Sequence, residues 1–432
     1  MKRGFYTIMA AQFFSSLADQ MLLVAAIQML LLLDGPEWLT PLLRFFFTIS
    51  YVVLAAFVGA FADSMPKGKV MFVTNTLKIF GCSMILLAAG LTIPGVQTYW
   101  LIPIAYGIVG LGAAAYSPAK YGILTELLPP EQLVVANGWI EGLTIASIVL
   151  GFVLGGIIIS PEVSSQLLKF DFPLIDTPID TPPEVAILFI GASYMVAAIF
   201  NLMIPDTGAR YPDQKTNPLR LLEDFSHGFH VLWHDKLGQI SLAVTTLFWG
   251  AGATLQFITL KWAEKQLHMP LDRASILQGI SAIGIALGAV FAARTVPLKK
   301  SLRVLPMGIA MGFVAMTLVW MRWLPGVYLV LLLVGALAGY FVVPMNALLQ
   351  HRGHVLLSAG HSIAVQNFNE NISILVMLAL YALMIRLHTP INVIIVLFGA
   401  FVAGSMLLVM KWNQLNHERD PDLDRHIGEA KH

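Results

Sequence analysis

Four polar residues recur down one stretch of an otherwise apolar segment: Gln12, Ser15, Ser16 and Asp19. Steps of three and four place them on one face of a helix. A carboxylate inside a membrane costs roughly 3 kcal/mol or more unless it is paired or faces water. Asp19 is therefore a candidate contact for a substrate ammonium, a candidate proton-coupling acid, or one half of a structural ion pair with a basic residue of the fourth span. Lys120 follows Tyr116, Ser117 and Pro118 in a polar, proline-bearing stretch. It suits a phosphate or carboxylate ligand, or a partner for Asp19. Lys78 suits an ion pair or a substrate contact, and Glu141 is an acid that could face Lys78 or Lys120. Arg44, nearer a span end, is expected to snorkel its charge to the interface. Further along, Gln366, Asn367, Asn369, Glu370 and Asn371 crowd one segment. Their i,i+4 spacings give a broad polar face, which implies a wet cavity or an interhelical network. Gln256, with Thr245, Trp249 and Gly252 on the same helical face, is expected to line that cavity too.

The segments that carry these residues are membrane spans. Of the 432 residues, 57% are hydrophobic and only 12% are charged, half the charge of a soluble domain. Lys+Arg and Asp+Glu number 26 and 25, a balance that excludes a nucleic-acid binder. The lone cysteine, Cys82, excludes an internal disulfide framework and a thiolate metal cluster. Hydropathy places spans at 5–33, 38–62, 70–91, 98–124, 133–159, 184–204, 239–262, 274–293, 303–322, 326–348, 358–386 and 390–411. With the amino terminus inside, seventeen Lys and Arg fall on the cytoplasmic side, six on the other and three within spans. That bias puts both termini in the cytoplasm, and an even number of spans agrees with it.

The chain divides at a charged insert. The expected organisation is an amino-terminal six-helix bundle over 1–204, a cytoplasmic linker over 205–238, a second six-helix bundle over 239–411 and a tail over 412–432. Leu222, Phe225, Phe229 and Trp233 recur in the linker at helical spacing, which predicts an amphipathic helix on the inner membrane face. His227, His230 and His234 share that helix, but no cysteine accompanies them, and neither a metal site nor a cofactor is expected. No Walker loop or nucleophile elbow occurs, so neither ATP-driven transport nor an enzyme is expected. Gly151/Gly155 and Gly284/Gly288 are small-xxx-small pairs, expected to serve close contact between the halves or tight packing inside one half.

Two weakly similar six-span halves joined by a cytoplasmic linker resemble the major facilitator superfamily: an all-α integral membrane fold of twelve helices in two pseudo-symmetric bundles, with the substrate site between them. Gly59, Asp63, Lys67 and Lys69 resemble the superfamily's loop signature after the second span. That resemblance implies a latch in which Asp63 pairs with neighbouring helix ends, although Ser64 and Pro66 depart from the usual Arg and Gly. Four blocks are more specific: AAYSPAKYGILTE ending at Glu126, LFWGAGATL around Trp249, FVVPMNALLQ ending at Gln350, and IAVQN ending at Asn367. They are similar to the bacterial lysophospholipid transporters. Lys120 and Asp19 match positions where that family carries a functional lysine and aspartate. Family members often carry Asn where this chain has Gln20, and can carry Arg where it has Gln256, which removes a candidate phosphate-binding charge.

The resemblance implies a monomeric flippase of the bacterial inner membrane. It would move lysophosphatidylethanolamine and lysophosphatidylglycerol from the outer to the inner leaflet, for reacylation by a cytoplasmic acyltransferase–acyl carrier protein synthetase. The alternative is a proton-coupled symporter or drug exporter for a small amphipathic solute.

Overall fold

The computed structural model describes residues 3–88, 90, 97–127, 130–169, 180–208, 217–357 and 359–427. Among them no strand occurs, as a bilayer demands of segments that must satisfy every backbone group internally. The elements are α1 (Arg3–Leu32), α2 (Leu39–Val53), α3 (Val58–Asp63), α4 (Lys67–Ala88), α5 (Leu101–Leu127), α6 (Pro130–Ile159), α7 (Pro161–Leu167), α8 (Pro182–Leu202), α9 (Pro218–His234), α10 (Lys236–Leu267), α11 (Leu271–Thr295), α12 (Leu305–Met316), α13 (Leu324–Leu356), α14 (Ala359–Arg386) and α15 (Ile391–Arg419). Among the described residues, eleven helices are long and apolar enough to cross a membrane. The second expected span is instead broken: α2 stops at Val53, turns follow, and α3 resumes at Val58.

Several helix starts carry the side chains that starts require. Glu184 accepts from the backbone of Asp180 and Thr181 at the head of α8, where Pro182 occupies the first turn. Asn217 caps α9 ahead of Pro218, and Asp235 caps α10 by accepting from Gly238 N at 2.7 Å. Among the described residues, three that are not glycine adopt left-handed backbone, Asp34, His268 and His388, with φ of 52°, 51° and 56°. They follow the ends of α1, α10 and α14.

The chain forms two compact units: Met1–Thr216 with Met269–Gly279, and Asn217–His268 with Ile280–His432. In the first, α1 packs on α6 and α8, α4 on α5 and α8, and α2 on α5. In the second, α10 packs on α14 and α15, and α12 on α13 and α15, while Gly335 and Gly339 bring α13 against Ser281 and Ile285 of α11. Span for span these are the same pairings, so the weak likeness of the two half-sequences extends to which helices touch.

Glycines set the closest approaches. A Cβ at Gly110 of α5 would overlap the backbone of Phe47 in α2, and one at Gly81 of α4 would lie 2.7 Å from Val109. The paired glycines work within their own units. Gly151 and Gly155 admit Leu17, Gln20, Met21 and Val24 of α1, and Gly284 and Gly288 admit Leu332 and Ala336 of α13. Packing inside each half accounts for them. Cys82 is buried in α4, its thiol 3.6 Å from the carbonyl of Ile187.

The linker helix α9 departs from expectation. It falls in the second unit. Phe225 and Phe229 meet Phe368 of α14 edge-on at 5.1 and 6.3 Å, and Trp233 stacks on Trp412 at 6.5 Å. Protein, not the membrane face, covers this aromatic edge, because α14 and α15 offer matching aromatics. Leu219 and Leu222 of the same helix remain exposed.

Candidate functional site

The amino-terminal unit builds its polar centre from α1, α4, α5 and α8. Lys78 of α4 is 1% exposed. Its Nζ donates to Asp19 Oδ1 at 2.9 Å, to Asp19 Oδ2 at 2.8 Å and to Ser15 Oγ at 3.0 Å. Tyr194 of α8 donates its hydroxyl to Asp19 Oδ1 at 2.7 Å. Ser15 in turn donates to Asn75 Oδ1 at 2.8 Å. The rings of Tyr116 and Tyr194 stand 5.4 and 5.5 Å from the ammonium, within cation–π range. Gly112 makes room for this lysine: a Cβ there would lie 2.8 Å from Lys78 Cγ.

The arrangement corrects one expectation. The partner of Asp19 is Lys78 of the third span, not Lys120 or another base of the fourth. The azimuth of α4 aims Lys78 at the α1 face that carries Ser15 and Asp19, and the spacing of residues within single helices does not reveal that. An ion pair in a low-dielectric interior persists only when its remaining valences are filled. Here Ser15 and Tyr194 fill them.

The other candidates of this unit distribute around the pair. Gln12, 4% exposed, donates to Ser16 Oγ at 2.8 Å and to Thr144 Oγ1 at 3.4 Å. Tyr116 is buried, and its hydroxyl has no hydrogen-bond partner among the described residues. Lys120 is buried on α5, just beyond Pro118. Arg44 does not snorkel. Its guanidinium lies over the ring of Phe47 at 5.1 Å, its Nε is buried without a partner among the described residues, and Phe47 packs on Tyr106 at 5.2 Å. At the end of α4 towards the predicted latch, Lys67 donates to the Ala62 carbonyl at 3.0 Å and lies 3.8 Å from Glu126 of α5. The surroundings of Gly59 and the side chains of Asp63 and Glu141 lie outside the described residues.

In the second unit the polar stripe of α14 splits. Gln366 donates to Asn346 Oδ1 of α13 at 2.9 Å and to Glu370 Oε1 at 2.7 Å. Asn369 instead accepts from the Trp233 indole at 3.2 Å, and Asn371 donates to the Asn367 carbonyl. Part of the expected cavity lining thus fastens the linker helix. Gln256 lies on α10, where Trp249 is exposed and Thr245 fully buried. A second ion pair had no sequence signal beyond two charges near helix ends. Arg352 donates to Asp235 Oδ2 at 3.0 Å and Oδ1 at 2.6 Å, tying the cap of α10 to α13. Asn75 and Tyr194 were equally missed. Asn75 sits three residues before Lys78, and Tyr194 is the lone aromatic hydroxyl of its span, which were the available signals.

Comparison with known proteins fixes the family. Residues 8–376 match the model of the Major Facilitator Superfamily. The lysophospholipid transporter LplT of Yersinia enterocolitica serotype O:8 / biotype 1B is 39% identical over 393 residues, 90% of this chain and 89% of that protein. LplT of Yersinia pestis strain Pestoides F is 40% identical with the same coverage. Among solved structures, a bacterial homologue of the iron transporter ferroportin aligns over 95% of this chain and 98% of that one, with a TM-score of 0.65 and 15% identity. A bacterial homologue of the human lysosomal transporter Spinster aligns over 99% and 98%, with a TM-score of 0.61 and 15% identity. At such identity these structures speak to fold alone. The chain is a multi-pass membrane transporter rather than an enzyme, and it belongs to the lysophospholipid transporter LplT family of the Major Facilitator Superfamily.

Proposed function

We propose that this transporter carries lysophosphatidylethanolamine and lysophosphatidylglycerol from the outer to the inner leaflet of the bacterial inner membrane by alternating access. The observation that carries the reading is near-full-length identity of 39–40% to proteins named lysophospholipid transporters. The chemistry of the first unit supports it. Asp19 and Lys78 form a buried pair of opposite charges, matched to the zwitterionic ethanolamine headgroup, whereas the anionic glycerol headgroup, which has no ammonium, engages the lysines alone. Asp19 releases Lys78 to take the ammonium, and Lys78 together with Lys120 takes the phosphate. Gln12, Tyr116, Gln256, Trp249, Gln366, Asn367 and Glu370 are assigned to the lining. Gly59, Asp63 and Lys67 are assigned to a latch at the cytoplasmic ends of the helices. Both termini face the cytoplasm, as the Lys/Arg bias requires, and a cytoplasmic acyltransferase–acyl carrier protein synthetase consumes the product.

The test is leaflet translocation of labelled lysophosphatidylethanolamine in proteoliposomes, for the natural chain, Asp19→Asn and Lys120→Ala, with and without a proton gradient. Gradient-independent flipping that both substitutions abolish is the expected result. Flipping unchanged in folded Lys120→Ala would remove that lysine from the site. No flipping by the natural chain would overturn the substrate. Transport of a soluble amphipathic solute that follows the gradient would establish the proton-coupled alternative.

A further inference from the structure

The second unit carries a groove apart from the polar residues described above. It runs between the start of α12, with the 3-10 turn Leu298–Val304 that precedes it, and the end of α15. Leu305, Pro306, Leu407 and Leu408 form apolar walls, and Arg303 and Lys411 supply two cations. Leu408 is 70% exposed and Leu407 53%, as lipid-facing side chains of a spanning helix are. Among the described residues, no acidic side chain lines the groove. Neither cation forms an ion pair among the described residues. Arg294, Lys299 and Lys300 add positive charge in the adjoining stretch.

Depth fits this chemistry. Lys411 lies twenty residues beyond Ile391, the first residue of α15, or about 30 Å along a helix axis, which is the thickness of the hydrocarbon layer. Arg303 precedes α12, while Trp320 and Trp323, both 70% exposed, lie beyond its far end. The two cations thus stand at headgroup level on one side, and the indoles mark the other. Asn413 also lines the groove, and its Oδ1 has no hydrogen-bond partner among the described residues. That is an acceptor waiting for a donor, which a hydroxylated headgroup would bring.

We propose that this groove holds a resident anionic phospholipid with a hydroxylated headgroup, of the phosphatidylglycerol type. Its phosphate sits between Arg303 and Lys411, a headgroup hydroxyl donates to Asn413, and its acyl chains run along Leu407 and Leu408. The site is separate from the Asp19–Lys78 centre and its occupant is not transported.

The experiment measures lipid binding to the purified full-length protein by native mass spectrometry, together with the melting temperature. The probes are phosphatidylglycerol, phosphatidylethanolamine and glycerol 3-phosphate. Phosphatidylglycerol is expected to bind and raise the melting temperature, and the other two are not. Each cation removed, by Arg303→Gln or Lys411→Gln, weakens binding about fivefold, while the charge-preserving Arg303→Lys/Lys411→Arg protein still binds. The proposal is overturned if phosphatidylglycerol fails to bind the natural chain, if phosphatidylethanolamine binds equally, if glycerol 3-phosphate alone suffices, or if the folded double glutamine variant binds undiminished. Because the readout is binding, it stands or falls independently of lysophospholipid flipping.

Discussion

Lys78 is the side chain on which the polar centre turns. It is buried, and all three of its proton-donating directions are used, on Asp19 and Ser15. Removing it strands a carboxylate. Lys78→Ala is expected to lower stability by about 3–5 kcal/mol, read as a fall in melting temperature of the purified protein. The Asp19→Leu/Lys78→Met double variant should recover most of that loss and still fail to flip lipid. Equal destabilisation of the two would show that the cost is packing rather than charge. Tyr194→Phe removes one charge-assisted hydrogen bond to Asp19 and should cost about 1.5–3 kcal/mol while leaving the ion pair in place. Asp19 was legible in the sequence because a carboxylate in an apolar segment demands an explanation. Its partner was not, because three lysines and arginines lay within reach by depth, and only the rotation of each helix about its own axis selects among them. Arg44 shows the same limit. Its position in the chain suggested the interface, yet the ring of Phe47 holds it inside.

Elements were legible where length and hydropathy decide, and less so where a helix breaks or docks. The interruption after Val53 falls in a stretch without proline, so nothing local announced it. The aromatic edge of α9 reads identically whether lipid or protein covers it, and only Phe368 and Trp412 on other helices settle the matter. The α2–α5 crossing depends on Gly110, where any side chain would strike the backbone of Phe47. Gly110→Leu should therefore destabilise by about 1–3 kcal/mol. Gly142→Ala in α6, with nothing among the described residues within 4 Å of the added methyl, should be neutral or stabilising by up to about 1 kcal/mol. Thermal melts of the pair check the contrast. His268 ends α10 with left-handed backbone, and His268→Gly should gain about 1 kcal/mol by relieving the Cβ, whereas a valine there should lose stability.

At the scale of the molecule, duplication is the strongest message. The two units repeat the same helix pairings although their sequences have drifted, and left-handed residues close the first long apolar helix of each, Asp34 after α1 and His268 after α10. A division into two units was readable from the charged insert, whereas the identity of the touching helices needed the fold. The proposed orientation rests on the Lys/Arg bias, and topology reporters check it. Green fluorescent protein fused after α15 should fluoresce, and alkaline phosphatase fused after Gly35 should be active. The reverse pattern would invert the assignment of both termini. Finally, the only thiol of the chain is sealed inside α4. Spin labels or fluorophores attached through cysteine will then report only from positions chosen by mutagenesis. Pairs of such labels, one in each unit, can time the transport cycle by spectroscopy with the native cysteine left in place.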